Sequence, residues 1–150
     1  MKTSSIQKMG LAVYLLCAWL ISTSAIAQAP ARRVSLRERN PEFFKTEEAR
    51  RIGDQIIAYQ RCTGGWPKNI DMTRDMSQEE LDAVIKEKNR RNDSTIDNNA
   101  TTSQMTFLAR LYRATKETRY RDAFRAGVEY LLSGQYENGG GPQFWPETRG

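Results

Sequence analysis

The chain has 150 residues, of which 39% are hydrophobic and 27% charged, and it carries a formal net charge of +5. This length suits one domain, and the apolar fraction is too high for an intrinsically disordered chain. The sequence contains no histidine, which excludes Ser-His-Asp and Cys-His catalysis as well as imidazole-bound zinc or iron. A metal bound here would need oxygen ligands, which favours calcium or magnesium.

Residues 1–27 have the pattern of a secretory signal peptide. Lys2 and Lys8 form a basic start, residues 9–21 form an apolar core, and Ala-Ile-Ala at 25–27 is typical of a cleavage site. An uncleaved membrane anchor is the alternative, but the apolar run is shorter than the roughly 20 residues of a spanning helix. We therefore expect a secreted or periplasmic protein that leaves the membrane when the signal is cleaved.

Cleavage after residue 27 would remove Cys17 and leave Cys62 without an intramolecular disulfide partner. Residues 28–42 are rich in charge and poor in apolar side chains, which predicts a flexible N-terminal lead-in. A basic arm that binds nucleic acid is the alternative interpretation of this segment. Because the protein is expected to be exported, we expect no nucleic-acid partner.

We predict four amphipathic helices, over residues 46–60, from Ser77 onward, over 99–115 and over 118–135. Thr46 is expected to cap the first helix, and Ser77 and Glu80 form a capping box at the start of the second. No segment alternates as a β-strand does, so the predicted fold class is all-α. The expected buried residues of the second and third helices are Leu81, Val84, Ile85, Met105, Leu108, Ala109 and Tyr112.

The ends of the first and fourth helices share a sequence pattern. The pattern Q-x-x-x-G-G-x-P occurs at residues 60–67 and recurs 75 residues later, at 135–142. Glycines with positive φ can end a helix, and a proline then fixes the next part of the backbone. Recurring helix–loop–helix units of this kind indicate a solenoid or a closed toroid of helical hairpins. Two hairpins are too few for a ring, so we expect either that residues beyond this chain complete it or that the chain alone is marginally stable.

Two loops carry the candidate binding residues. In the loop after the first helix, Trp66 is expected either to fold back on the core or to stack on a sugar ring, with Lys68 able to meet an acidic group. In the loop before the third helix, Asp97, Asn98 or Asn99 is expected to cap that helix, or Asp97 and Asn98 are expected to offer oxygen ligands to a cation. Spacing alone favours the structural alternative in both loops.

Two further groups of side chains have a similar ambiguity. The aromatic residues that follow the fourth helix are core residues by default, and they stack on sugars only if they open onto a cleft. They are Tyr136, Phe144 and Trp145. The basic residues of the third and fourth helices, such as Arg110 and Arg113, are interpreted as a solvated helix face.

Taken together, these helix ends and loops resemble the family-10 pectate lyases. The resemblance covers nearly all of the chain after the lead-in, from about Phe43 to Pro146, and its segments stand in the same order as in that family. The segments are R-I-G-D-Q-I-I-A-Y-Q at 51–60, G-G-W-P-K-N at 64–69, T-I-D-N-N-A-T at 95–101, Q-Y at 135–136 and P-Q-F-W-P at 142–146. Each segment alone is a weak signal, whereas the ordered set is specific.

The resemblance implies that residues 43–150 form the N-terminal part of an incomplete α/α toroid with a groove for polygalacturonate. It also implies calcium as cofactor and cleavage by β-elimination, in which an arginine removes the proton from carbon 5. Asp97, with Asn98 beside it, matches the acidic residue of the calcium and substrate site. Trp66 and Lys68 match the G-G-W-P-K-N segment and are expected at the substrate.

The arginine base and the second calcium-site aspartate belong to later segments of that family. The resemblance therefore implies that this chain holds no catalytic residue and is inactive alone, and that the complete enzyme is a monomer that degrades pectate. The alternative from another functional class is a non-catalytic helical-repeat module that binds polysaccharide. Calcium dependence of polysaccharide binding would distinguish the two.

Overall fold

The computed structural model describes residues 33–146. Its helices are α1 (Glu47–Tyr59), α2 (Gln78–Lys86), α3 (Thr102–Thr115) and α4 (Thr118–Ser133), with short 3-10 turns at Phe43–Lys45 and Asp97–Asn99. No strand forms within this range, where Thr95 and Phe144 make an isolated antiparallel bridge. The predicted all-α class is confirmed. The predicted signal peptide and residues 28–32 of the lead-in lie outside the described residues.

The predicted caps begin two of the helices. The Thr46 side chain accepts a hydrogen bond from the backbone N–H of Ala49 at 3.2 Å, which satisfies one free amide of the first turn of α1. At α2, Ser77 Oγ accepts from the N–H of Glu80 at 3.2 Å, and Glu80 Oε2 accepts from the N–H of Ser77 at 2.8 Å. Both caps therefore form as the sequence predicts.

Helix α3 begins later than the sequence predicts. The helix was expected from about Asn99, but Asn98 and Asn99 both have positive φ, at 51° and 60°, and the helix begins at Thr102. A left-handed backbone cannot continue a right-handed helix, so these residues form a separate turn. The N-cap of α3 is Thr101, whose side chain makes no capping hydrogen bond. The expectation that Asp97, Asn98 or Asn99 caps this helix is therefore wrong.

Helix α3 packs against both α1 and α4. Met105 and Leu108 are buried as predicted, but Phe107 and Leu111, which we did not predict, are also fully buried. The expected Ala109 and Tyr112 are only partly buried. A helix that packs between two neighbours buries side chains on more than one face, whereas the sequence pattern identified a single apolar face.

Helix α2 is peripheral and packs mainly on α1. It has no fully buried residue, and Ile85, which we expected in the core, is 48% exposed. Its predicted apolar stripe is thus only partly covered among the described residues. None of the helices in residues 33–146 has the length and apolar character needed to cross a bilayer.

The described half of the lead-in is docked on the core, in contrast to the expected flexible segment. Val34 and Leu36 are partly buried against the core. The carbonyl of Val34 accepts a hydrogen bond from Thr73 Oγ1 at 3.0 Å, and the carbonyl of Glu38 accepts one from the Arg110 guanidinium. Two apolar side chains and two backbone contacts therefore hold residues 34–38 in place.

Candidate functional site

Three segments outside the helices meet through backbone hydrogen bonds. We name them the first repeat loop (residues 60–69), the Asp97 loop (94–101) and the second repeat loop (135–144). The N–H of Thr95 donates to the carbonyl of Trp66 at 3.1 Å, and the N–H of Ile96 donates to the carbonyl of Gln143 at 3.3 Å. The Asp97 loop therefore lies between the two repeat loops and is joined to both.

The two repeat loops have the same local structure. In the first, Gln60 Nε2 donates to the carbonyl of Gly64 at 2.8 Å, and in the second, Gln135 Nε2 donates to the carbonyl of Gly139 at 3.2 Å. Both glycines have positive φ, at 91° and 86°, a conformation that glycine adopts without steric cost. The repeat inferred from the sequence is therefore also a repeat of backbone structure.

The Asp97 carboxylate is held by side chains from equivalent positions of the two repeat loops. Lys68 Nζ and Gln143 Nε2 both donate to Asp97 Oδ2, the latter at 2.6 Å. The hydrogen bond from Lys68 lowers the pKa of the Asp97 carboxyl, and those from Gln143 and from the N–H of Asn98 act in the same direction, against the opposing effect of burial. Asp97 is thus an anchored, ionised carboxylate, and its side chain remains 32% exposed.

The backbone of the Asp97 loop is held in an unusual conformation. Asn98, Asn99 and Thr101 all have positive φ, which asparagine tolerates but a β-branched threonine adopts rarely. Thr101 is fully buried, and its Oγ1 accepts from the N–H of Trp66 at 3.0 Å and donates to the carbonyl of Thr95 at 2.9 Å. These hydrogen bonds stabilise the strained residue and fix the loop that carries Asp97.

Asn98 connects the Asp97 loop to the first repeat loop through its side chain. Its Nδ2 donates to Asn69 Oδ1 at 3.0 Å, and Asn69 also has a positive φ of 62°. Both asparagines are exposed. Three polar residues of the two loops, Asp97, Asn98 and Lys68, therefore lie at one accessible place.

Trp66 does not present its indole to solvent. The side chain has no exposed surface, and its Nε1 donates to the carbonyl of Ile56 at 2.7 Å. This carbonyl lies in the last turn of α1, where carbonyl groups lack helical partners. The expectation that Trp66 stacks on a sugar is therefore wrong, and the alternative in which it folds back on the core is correct.

The aromatic residues after α4 are partly open to solvent. Tyr136 is 55% exposed, while Phe144 and Trp145 are partly buried. The Lys68 ammonium lies 5.2 Å from the centroid of the Phe144 ring, within the range of a cation–π contact. Trp145 Nε1 donates to Ser133 Oγ at 3.0 Å. Of the three, Phe144 is the one that contacts the Asp97 site.

Asp97 and Asn98 carry carboxylate and amide oxygens, the ligand types that calcium takes. Asp97 Oδ1 accepts one hydrogen bond, from the N–H of Asn98 at 2.9 Å, and the amide oxygen of Asn98 lies on the adjoining residue. No group of three or more Cys, Asp or Glu side chains that could hold a metal occurs within residues 33–146. Calcium takes six to eight oxygen ligands, so water and a uronate carboxylate would have to contribute beside Asp97 and Asn98.

Sequence reasoning missed Gln143 as a residue of the site. The signal was present in the repeat, because Gln143 follows the second Q-x-x-x-G-G-x-P segment as Lys68 follows the first. Asn69 was noticed only as part of the G-G-W-P-K-N segment, and its contact with Asn98 depends on left-handed backbone at both residues. That conformation is not apparent from residue types alone.

The comparisons with known proteins agree with this description. The sequence pattern of the pectic acid lyase family matches residues 60–150. No match was found among curated proteins. The chain is 32% identical to a mutant of a family 10 polysaccharide lyase from Cellvibrio cellulosa, solved in complex with trigalacturonic acid, with a TM-score of 0.53 over 73% of this chain and 32% of that chain.

A second structure of a family 10 polysaccharide lyase from Cellvibrio cellulosa is 33% identical, with a TM-score of 0.52, and the match covers 71% of this chain and 30% of that chain. This chain thus spans about a third of the length of the solved structures that it matches. The helical hairpins of residues 33–146 form part of an α/α toroid, as the repeat and the resemblance predicted. Since the family pattern covers more than half of the sequence, including both the Asp97 loop and the second repeat loop, the chain belongs to the pectic acid lyase family.

Proposed function

We propose that this chain provides the uronate-binding part of a pectate lyase, which cleaves polygalacturonate to unsaturated oligogalacturonides. The observation that supports this most directly is the position of Asp97. Its carboxylate is partly exposed, is joined to Lys68 and Gln143, and lies where three loops of a pectic acid lyase chain meet. The trigalacturonic acid bound in the similar Cellvibrio cellulosa structure supports a uronate as the ligand.

The proposed reaction is a β-elimination. A base removes the proton from carbon 5 of a galacturonate, and a double bond forms between carbons 4 and 5. The bond from carbon 4 to the glycosidic oxygen breaks, and that oxygen leaves with the electron pair and takes up a proton to become a hydroxyl. Calcium, held by oxygens of Asp97 and Asn98, would withdraw electron density from the uronate carboxylate and so acidify the carbon-5 proton. The Lys68 ammonium, which contacts Asp97 in this structure, would then pair with the uronate carboxylate.

The proposal gives this chain a binding and orienting role and assigns no catalytic residue to it. The proton-abstracting arginine is proposed to lie outside these residues, so the chain alone is expected to be inactive. The charged start and apolar core of residues 1–27 support a secreted or periplasmic location.

Native affinity electrophoresis in gels with and without polygalacturonate tests this proposal. We expect calcium to increase the retardation of the chain and a chelator to reverse the effect. Asp97→Asn should abolish the calcium-dependent part, because it removes a charge from the proposed ligand with little change of shape. Asp122→Asn is the matched control, since Asp122 is an exposed carboxylate of α4 that pairs with Arg121.

Retardation that does not respond to calcium or to Asp97→Asn would contradict the lyase proposal and favour the non-catalytic polysaccharide-binding module. An enzyme that contains this chain should also release products whose new double bond absorbs in the ultraviolet. Saturated products from such an enzyme would indicate hydrolysis and would exclude β-elimination.

A further inference from the structure

Basic side chains line three adjoining depressions on the surface. The first, of about 340 Å³, contains Lys68 and shares Leu36 and Ser103 with a second depression of about 440 Å³. The second shares Arg39 and Arg110 with a third depression of about 310 Å³. We name this surface the cationic track, and its basic residues are Lys68, Arg37, Arg39, Arg110, Lys45 and Arg113.

The docked lead-in explains why two of these arginines face outward. From Arg33 to Glu38 the residues alternate between exposed and partly buried, so Val34 and Leu36 face the core while Arg33 and Arg37 are exposed. The N–H of Glu38 donates to the carbonyl of Ser35 at 2.9 Å, so the segment turns at Leu36 and Arg37. The contacts of Val34 and Glu38 with Thr73 and Arg110 hold this arrangement, and Arg39 is exposed one residue later.

The positive charge of the track is local and does not follow from the average composition. Among the described residues, no carboxylate lines the second or third depression, and Asp71 alone lines the first. Lys45 and Lys68 of the track pair with Glu42 and Asp97. The depression between α1 and α2, by contrast, is lined by four carboxylates and three arginines. Within the described residues, no ion pair engages the guanidinium of Arg37 or Arg39. Within residues 33–146, the two side chains can therefore bind an external anion without breaking an ion pair.

Hydroxyl groups at the start of α3 lie beside these arginines. The hydroxyls of Thr102 and Ser103 donate to the carbonyl of Asn99, and that of Thr106 donates to the carbonyl of Thr102 at 2.8 Å. Because their protons are used internally, their oxygens remain available as acceptors. An arginine can bind a carboxylate while a neighbouring oxygen accepts from a sugar hydroxyl, and uronates offer both groups.

We infer that the cationic track binds a further stretch of an acidic polysaccharide beyond Asp97, through its arginines and without a divalent cation. This inference deepens the proposed function and rests on it for the choice of a uronate. The track begins at Lys68, which contacts Asp97, so one polymer chain can extend from that site across the lead-in toward Arg113. The only aromatic side chain that lines it, Phe44, is 2% exposed, and the track therefore lacks the stacking surface of single-stranded nucleic-acid sites.

The test is native affinity electrophoresis in polygalacturonate gels with chelator present throughout. The double variant Arg37→Gln/Arg39→Gln removes two unpaired charges from the track without touching the core. We expect it to weaken the apparent affinity about fivefold, the combined effect of two exposed ionic contacts. The matched control, Arg121→Gln/Arg125→Gln, makes the same charge change on α4 and should leave the affinity unchanged.

Several outcomes are decisive. Equal losses of affinity in the two double variants would overturn the inference, because binding would then depend only on net charge. No loss in either variant would overturn it as well, because Arg37 and Arg39 would then contribute nothing to binding. Retention that persists in gels of fully methyl-esterified polygalacturonate would overturn it too, since esterification removes the carboxylates. Single-stranded DNA retained as strongly as polygalacturonate, with the same dependence on Arg37 and Arg39, would also overturn it and identify a nucleic-acid surface.

Failure of the proposed function gives a different pattern. Asp97→Asn should leave the chelator-insensitive binding intact, and Arg37→Gln/Arg39→Gln should leave the calcium-dependent increment intact. A loss of affinity that is confined to Asp97→Asn and occurs only with calcium concerns the Asp97 site. A loss of affinity that is confined to Arg37→Gln/Arg39→Gln and occurs with chelator present supports the track. Polygalacturonate long enough to span both sites should show the effect of Arg37 and Arg39, whereas trigalacturonate bound at Asp97 in calcium should not.

Discussion

The guanidinium of Arg61 holds the carboxylate of Asp93 through two of its nitrogens. Nε lies 3.0 Å from Oδ1 and Nη2 lies 2.8 Å from Oδ2. Both side chains are buried, with 2% and 9% exposed, and Nη2 also reaches Glu87 at 3.3 Å. Arg61 lies in the first repeat loop, just after α1, and Asp93 directly precedes the Asp97 loop. The ion pair therefore joins the first repeat loop to the segment that leads into the Asp97 loop.

We predict that Asp93→Ala lowers the free energy of unfolding by about 3 kcal/mol, because it removes the carboxylate that binds two nitrogens of a buried guanidinium and leaves only the 3.3 Å contact with the half-exposed Glu87. Urea denaturation followed by circular dichroism measures this change. The double variant Arg61→Met/Asp93→Leu should lose much less, since it removes both charges and keeps apolar volume. Equal losses in the single and double variants would show that packing, and not the uncompensated charge, decides stability here.

We predict that Lys68→Met strengthens calcium binding several-fold. The Lys68 ammonium contacts Asp97 Oδ2, where a bound cation would have to replace it. Titration calorimetry with calcium chloride measures the effect in the absence of polysaccharide. Gln143→Met is the control, because Gln143 donates to the same oxygen but carries no charge, and it should change calcium affinity far less. Unchanged affinity in Lys68→Met would mean that calcium does not bind at Asp97.

Helix boundaries that depend on local hydrogen bonds could be predicted from the sequence. Thr46 and Ser77 satisfy free amides of the adjoining turn, and this chemistry depends on residues three positions apart. The start of α3 could not be predicted in the same way. It is set by left-handed backbone at Asn98, Asn99 and Thr101, which is stabilised by contacts with distant residues such as Trp66.

The candidate site shows the same division between local and distant information. Asp97 and Lys68 could be named from the sequence because their segments resemble those of a known family. Their mutual contact, and the addition of Gln143, required the two repeat loops to be brought together around the Asp97 loop. Trp66 belongs to a recognised segment but is buried, so membership of such a segment did not indicate exposure.

Helix α1 lies close to Leu111 and Tyr120 at Gly53. A Cβ atom there would lie 2.2 Å from Leu111 Cδ2 and 2.9 Å from Tyr120 Cε1. We predict that Gly53→Ala lowers the free energy of unfolding by about 1–3 kcal/mol through overpacking, although alanine favours the helix. Gly127→Ala in α4 is the control and should lose less in urea denaturation. Its shortest contacts, at 2.8 and 2.9 Å, would be with the flexible side chain of Met105, and the next, at 3.0 Å, with Trp66 Cζ3. A stabilised Gly53→Ala variant would show that the helices can separate at little cost.

Two buried tyrosines predict a loss of stability at alkaline pH. Burial is the largest cause of a rise in the pKa of Tyr120 and of Tyr130, each from 10.0 to about 12. A raised pKa means that the folded protein retains the phenolic proton when the unfolded chain has lost it. The stabilisation is therefore complete below pH 10 and is lost as the pH rises from 10 to 12. Urea midpoints measured across this range should fall steadily.

Tyr120→Phe removes one of the two titrating groups, so the stability of this variant should fall less steeply with pH. Its urea midpoint at neutral pH also reflects the lost contact with Asp54. A slope identical to that of the unmodified chain would show that ionisation of Tyr120 is not linked to unfolding.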